Sequence, residues 1–302
     1  MKRYFLCAIV FGLSIQLLLG QDTTKTLPSV EINALRLKAS DQRTPFSVTK
    51  IDKKAIQLGN QQLSINESLV AVPGLFALNA DNFAQDLRVS IRGFGARAAF
   101  GIRGVKLLVD GIPESTPDGQ AQVDNVDMGL IQNMQILRGP AAGIYGNAAG
   151  GVILLQTEEV KKPFAEARIS GGSFNFQRYQ AKAGFRYGKF SGLIYGSHTQ
   201  TNGYRDHSEM ENTLLNGRFR YAWDSLTSLT LLVNYVNSPL ANDPGGVDST
   251  AFTDNPQAAR ERNVDFDGGE SVEQARIALN FQKALSDNQR LNIRAYRLSR
   301  DF

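Results

Sequence analysis

The residues whose spacing most suggests chemistry are Gly93-Phe94-Gly95-Ala96-Arg97-Ala98, which fit the pattern G-x-G-x-x-G/A. In that pattern the glycines let a turn approach a pyrophosphate, and an acid ending the next strand takes a ribose hydroxyl. Asp110, after the apolar run Val105-Lys106-Leu107-Leu108-Val109, stands where that acid would be. The elements around the turn argue against this use. A parallel crossover needs about a dozen residues or more, whereas the connector 94–104 is shorter and holds Gly95, Gly101 and Gly104. Asp110 also runs directly into Gly111-Ile112-Pro113, a turn sequence.

Other constellations are weaker still. His198 and His207 have no motif around them and read as solvated loop histidines. Asp124-Asn125-Val126-Asp127-Met128-Gly129 resembles a calcium loop, but Val126 stands where a ligand is needed. Asp118-Gly119 and Asp254-Asn255 read as turns, and no serine occupies a nucleophile elbow. The expectation is a protein with no catalytic residues, no metal site and no cofactor.

Residues 1–20 have the form of a secretory signal peptide: Lys2 and Arg3, then an uncharged apolar run ending in Leu17-Leu18-Leu19-Gly20. The only cysteine, Cys7, lies inside that run, so the exported chain is expected to have no thiol for a disulfide, metal or nucleophile. Losing Lys2 and Arg3 lowers the formal charge from +4 to +2, which gives no nucleic-acid footprint. No later stretch is apolar for long enough to cross a membrane as a helix, so a membrane-embedded form must be a β-barrel.

Three regions follow: a polar tail over 21–44, a glycine-punctuated unit over 45–160, and a region over 161–302 with strand-like alternation. In the last, Tyr179, Ala181, Ala183 and Phe185 oppose Gln180, Lys182, Gly184 and Arg186. Leu215, Gly217, Phe219 and Tyr221 oppose Asn216, Arg218 and Arg220, and Ala275, Ile277, Leu279 and Phe281 oppose Arg276, Asn280 and Gln282. Residues 227–236 are a further strong candidate, and 165–170, 190–197 and 291–298 are weaker ones. Apart from a first short hairpin at 173–175, short turns at 188–189, 223–225 and 286–288 alternate with long polar connections at 201–212 and 238–269. Aromatics (Phe185, Tyr187, Phe190, Tyr221, Trp223) collect beside the short turns. That asymmetry is expected of an outer-membrane barrel, with the short turns and an aromatic girdle at the periplasmic end. About seven strands are expected, too few to enclose a preceding domain, so the chain reads as the N-terminal part of a larger barrel protein.

Several motifs, in order, carry a resemblance to the TonB-dependent outer-membrane receptor family. They are Ser68-Leu69-Val70-Ala71-Val72-Pro73-Gly74, Ile91-Arg92-Gly93-Phe94, Val109-Asp110-Gly111-Ile112-Pro113, Ile136-Leu137-Arg138-Gly139-Pro140 and the Tyr145-Gly146 to Gly150-Gly151 segment. Asn133-Met134-Gln135 departs from the family, many of whose members carry an acid there that bridges to the barrel. Within the family, Arg92 to Arg97, Phe100-Gly101 and Pro117-Asp118-Gly119-Gln120 are most similar to ferric-citrate-type and pyrroloquinoline-quinone receptors.

The resemblance implies an α+β plug domain followed by the first strands of an antiparallel transmembrane barrel of about twenty-two strands, in the outer membrane of a Gram-negative bacterium. It implies an importer of a scarce bulky nutrient, such as a ferric siderophore or chelate, driven through TonB. A passive channel or adhesin is the alternative. Val30, Glu31, Ile32, Asn33 and Ala34 resemble the TonB box, a segment that pairs with its partner by strand addition. Arg97, Phe100, Arg103, Asp118 and Gln120 fall in loops at the implied plug apex, where the arginines would meet an anionic ligand or brace the plug. Membrane lipid, TonB and a metal chelate or small molecule are the implied partners, and a monomer is expected. The tail is too short for an extra signalling or carboxypeptidase-like domain.

Overall fold

The computed structural model describes residues 31–32, 39–40 and 46–302, except 99–100, 117 and 287–288. Ahead of the plug, β1 (Glu31–Ile32) pairs antiparallel with β2 (Ala39–Ser40).

The plug is built on a mixed five-stranded sheet. In chain order its strands are β3 (Ser47–Asp52), β6 (Val105–Val109), β7 (Ile112–Pro113), β8 (Ile131–Arg138) and β9 (Gly151–Thr157), arranged β3-β8-β9-β6-β7. All neighbours are antiparallel except β6 and β9. Asp110 (φ +51°) and Gly111 (φ +80°) form the two-residue turn between β6 and β7, the Asp-Gly hairpin signature whose twist matches the flanking strands. Short helices α1 (Lys53–Gln57) and α2 (Asn66–Leu69) cover one face. Asp52 caps α1 by accepting from the Ala55 amide. The main core, including Ile56, Leu69, Ile91, Leu107, Met134 and Ile153, lies on that side. α3 (Ala142–Tyr145) covers the other face, where Leu137, Tyr145 and Val152 pack.

The supposed cofactor turn belongs to a separate two-stranded sheet. β5 (Arg88–Ile91) pairs antiparallel with β4 (Leu75–Leu78), not with β6, and residues 92–98 form turns with no helix. No parallel crossover joins β5 to β6, so the dinucleotide reading is excluded by topology.

Seven further strands form one antiparallel sheet in sequence order. These are β10 (Phe164–Gly171), β11 (Gln177–Tyr187), β12 (Phe190–Thr201), β13 (Met210–Ala222), β14 (Thr227–Asn242), β15 (Gly269–Ala284) and β16 (Arg290–Asp301). Large apolar side chains such as Ile194, Leu215, Val233 and Ile277 stay exposed on one face, while Arg178, Gln180, Lys182, Thr199 and Asn234 are buried on the other. A soluble sandwich buries its apolar face, whereas a transmembrane barrel turns it to lipid. Here the polar face is covered by the plug. No helix among the described residues is long and apolar enough to cross a membrane, which says nothing of a barrel.

The connections differ from their expected bounds. β14 continues to Asn242 across Pro239, with a register shift between Ser238 and Ala241. The long connection therefore begins only at Asp243, and it contains α4 (Ser249–Asp254) and α5 (Glu261–Asp265). Asp254-Asn255 is the C-terminal end of α4 rather than a free turn. At the short-turn end Phe185 packs near Phe190, and Trp223 lies edge-on to Tyr221 and Phe281.

Candidate functional site

In the turns around β6 and β7 the structure brings together three of the residues picked out in sequence. Arg103 Nη2 donates to Asp118 Oδ2 and to Gln120 Oε1, both at 2.9 Å. Gln120 Nε2 in turn donates to Asp86 Oδ2 at 3.1 Å. The Thr116 hydroxyl, donating to Asp118, holds that carboxyl below the usual range, with backbone amide and Arg103 help. Burial pushes the Asp86 carboxyl up, and nearby Asp124 adds to this. Arg103 thus ties two turns together while its side chain stays about half exposed. Arg97 is exposed and has no polar partner among the described residues, and Phe100 lies outside them. Of the five tail residues, Glu31 and Ile32 form β1, and Val30, Asn33 and Ala34 lie outside the described residues.

The larger polar assembly is the seam between plug and strands, which sequence reasoning did not find. Asp127 is fully buried. Its two carboxylate oxygens accept from Arg178 Nη2 on β11 at 2.9 Å each, from the Ser197 hydroxyl on β12 at 2.5 Å, and from the Gly129 amide at 2.8 Å. Lys182 on β11 meets Glu158 at 2.9 Å. Arg218 on β13 bonds Asp110 at 3.3 Å and Glu159 at 2.8 Å. Arg276 on β15 pairs with Glu114, and Arg300 on β16 pairs with Asp124 at 2.6 Å. In every case the strand supplies the cation and the plug the carboxylate. The segment 124–127 alone reaches β11, β12, β14 and β16, since Asn234 of β14 also donates to the Asn125 carbonyl. Asn133, where the family's acid would be, instead bonds Gln156 across β8 and β9.

Glu158 shows how the seam responds to pH. Burial alone would raise its pKa, but Lys182 and Lys53, each 2.9 Å away, outweigh burial and hold it below the usual glutamate range. A depressed carboxylate stabilises the fold above its unfolded pKa and loses that contribution as pH falls through the folded value. The stability gap between the natural protein and Glu158→Gln should therefore be largest near neutrality and close on acidification. Chemical denaturation across that pH range measures it, and a gap that widens in acid would contradict the assignment.

On the long-loop side, the connections 202–209 and 243–268 are joined into one cap. Arg205 donates to the carbonyls of Pro244, Gly245 and Ala258, and His207 Nε2 lies 2.8 Å from the Gly268 carbonyl. Asp243 then accepts from Asn82 and Gln85 of the plug, each at 2.8 Å. Beneath this contact lies a cavity of about 110 Å³ between plug and strands, lined in part by Phe83, Asp86, Asp124, Met210 and Glu270. The two histidines are structural: His198 Nδ1 lies 2.9 Å from Thr213 Oγ1 across neighbouring strands. No group of metal-ligating side chains occurs among the described residues.

A sheet with a lipid-facing apolar side, and a separate domain ion-paired to its polar side, defines a class: an outer-membrane barrel wall with an internal plug. Residues 40–152 match the TonB-dependent Receptor Plug Domain family. The hemin receptor of Yersinia pestis is 28% identical over 244 residues, 72% of this chain and 34% of that protein. The pesticin receptor of Yersinia pestis is 28% identical over 193 residues, 62% of this chain and 27% of that protein. The unliganded ferric citrate transporter FecA superposes with a TM-score of 0.70 at 20% identity, covering 84% of this chain and 40% of FecA. The chain carries a TonB-dependent receptor plug domain and barrel strands, and its place is the Gram-negative outer membrane. It spans about a third of the length of the curated relatives it matches. That family consists of transporters, not enzymes.

Proposed function

We propose that the protein is an energy-coupled importer of a scarce, bulky nutrient such as a ferric chelate, siderophore or haem, with residues 45–160 as plug and 161–302 as the first part of its barrel. The observation that carries this reading is the plug itself, held against the polar face of the wall by buried ion pairs. A passive pore gains nothing from such an obstruction, whereas a driven importer needs one that a partner can shift. The names of the relatives, hemin and pesticin receptors and a ferric citrate transporter, support the nutrient class. Residues 30–34 serve as the TonB box, and the apex loops with Arg97, Phe100, Arg103, Asp118 and Gln120 face the ligand.

The test is Ile32→Pro in the full-length receptor. Proline removes a backbone donor and so disrupts strand addition. Uptake should be abolished while binding of ligand at the cell surface is kept. Normal uptake would remove the box from residues 30–34.

A further inference from the structure

Two cavities lie in the seam between plug and strands, one beyond the other along the strand direction. The outer, of about 110 Å³, meets the wall at Met210 and Asn212 of β13 and Val272 of β15. The inner, of about 30 Å³, meets the same strands nearer their short-turn ends, at Asn216 and Arg218 of β13 and Arg276 of β15. Val126 and Asp127 of the plug line both, so the segment 124–127 is what separates them. It crosses a single row of the wall. The register sets Ser197, Leu214, Val236, Gln274 and Arg300 side by side from β12 to β16. Asp127 accepts from Ser197 at 2.5 Å at one end of this row, and Asp124 holds Arg300 at 2.6 Å at the other. Val236, in the middle of the row, is fully buried.

The segment lies in the connection between β7 and β8, outside the plug sheet. Its backbone bonds within the plug are local: the Val126 amide donates to the Val123 carbonyl, and the Leu130 amide to the Asp127 carbonyl. What holds it across the row are contacts with the wall, namely the ion pairs of Asp127 and Asp124 and the bond from Asn234 to the Asn125 carbonyl. A segment fastened by a few side chains opens locally at less cost than a strand inside a sheet. Arg300 also has a second acceptor, Gln274 Oε1 at 2.9 Å, so releasing Asp124 does not strand its guanidinium. We propose that residues 124–127 form a strap that lifts from its row while the plug sheet stays in place, joining the two cavities into one polar passage along β12–β15. The inference rests on the importer reading only for what travels through that passage. The motion of the strap is a property of the chain itself.

The first test uses the full-length receptor in nanodiscs, without TonB or ligand, and a water-soluble methanethiosulfonate as the probe. Residues 21–302 contain no cysteine, and any beyond them is replaced by serine. The thiol of Val236→Cys, under the strap, should react, and adding Asp124→Asn should speed the reaction roughly tenfold for the lost charge-assisted pair. The thiol of Met134→Cys, buried in the plug core, should keep its slow rate in both backgrounds. An unchanged rate at Val236→Cys overturns the strap, and so does an equal acceleration at Met134→Cys, because the plug would then be loosening as a whole. In cells, a reducible bis-methanethiosulfonate bridge between Asn125→Cys and Asn234→Cys should stop uptake of radioactive iron supplied as ferric citrate or haemin, and reductant should restore it. The same bridge between Gln62→Cys and Gln180→Cys, a buried plug–wall contact of 3.0 Å outside the strap, should leave uptake running. Continued uptake with the strap bridged, or uptake lost with either bridge, overturns the passage. Absence of uptake by the natural receptor counts against the importer reading instead, and the thiol rates then decide the strap.

Discussion

Asp127→Ala should destabilise the protein by about 3–5 kcal/mol, the usual cost of leaving one member of a buried ion pair unpaired. Arg178 is 3% exposed and Asp127 4% exposed, so water cannot replace the lost carboxylate. The Ser197 hydroxyl and the Gly129 amide would lose their acceptor at the same time. Desolvation of two charges offsets most of the attraction between them, so the intact pair need not add much net stability. A double variant therefore separates the two effects. Asp127→Leu combined with Arg178→Met should recover most of the loss, because neither charge is then stranded. Urea unfolding of the reconstituted full-length receptor, read as a thermodynamic cycle, measures the coupling. A change within about 0.5 kcal/mol for Asp127→Ala would place this carboxylate among ordinary surface residues.

The same seam explains why part of the architecture was readable from sequence and part was not. Period-two alternation is a local property, so residues 176–186, 213–221 and 275–283 disclose both their strands and which face meets lipid. Pro239 and the shifted register beside it hid the end of β14, because proline and a bulge both look like the start of a loop. The short helices α4 and α5 carry no apolar periodicity that would mark them. The ion pairs are a different matter, since Arg178 and Asp127 lie 51 residues apart and Arg300 and Asp124 lie 176 apart. What sequence did offer was a run of cations at alternate positions on the polar face, Lys182, Arg218 and Arg276 among them. A barrel interior facing only water has no need of so many, and that excess was the available sign of an acidic partner. For Arg103 the sequence left two roles open, meeting an anion or bracing the plug, because its contacts to Asp118 and Gln120 join residues 15 and 17 positions away across a turn.

Gly95→Ala is the substitution that decides what the glycine turn is for. Gly95 has φ +91°, and a Cβ there would sit 2.5 Å from the Val89 carbonyl oxygen and 2.9 Å from that of Arg103. Both obstacles are backbone, so neither can move aside as a flexible side chain would. Gly93 has a similar φ of +87° but nothing within 4 Å of its would-be Cβ. Gly93→Ala should therefore cost about 1–3 kcal/mol from backbone conformation alone. Gly95→Ala should cost that amount and about 1–3 kcal/mol more for forcing the strands apart. Thermal or denaturant unfolding of the two variants isolates the difference. If the second glycine existed to admit a phosphate, the two variants would be equally stable, and the change at Gly95 would register only as lost nucleotide affinity. A clear stability gap between them means that the close approach made possible by Gly95 is to the plug's own chain, with the carbonyls of Val89 and Arg103 occupying the space a pyrophosphate would need.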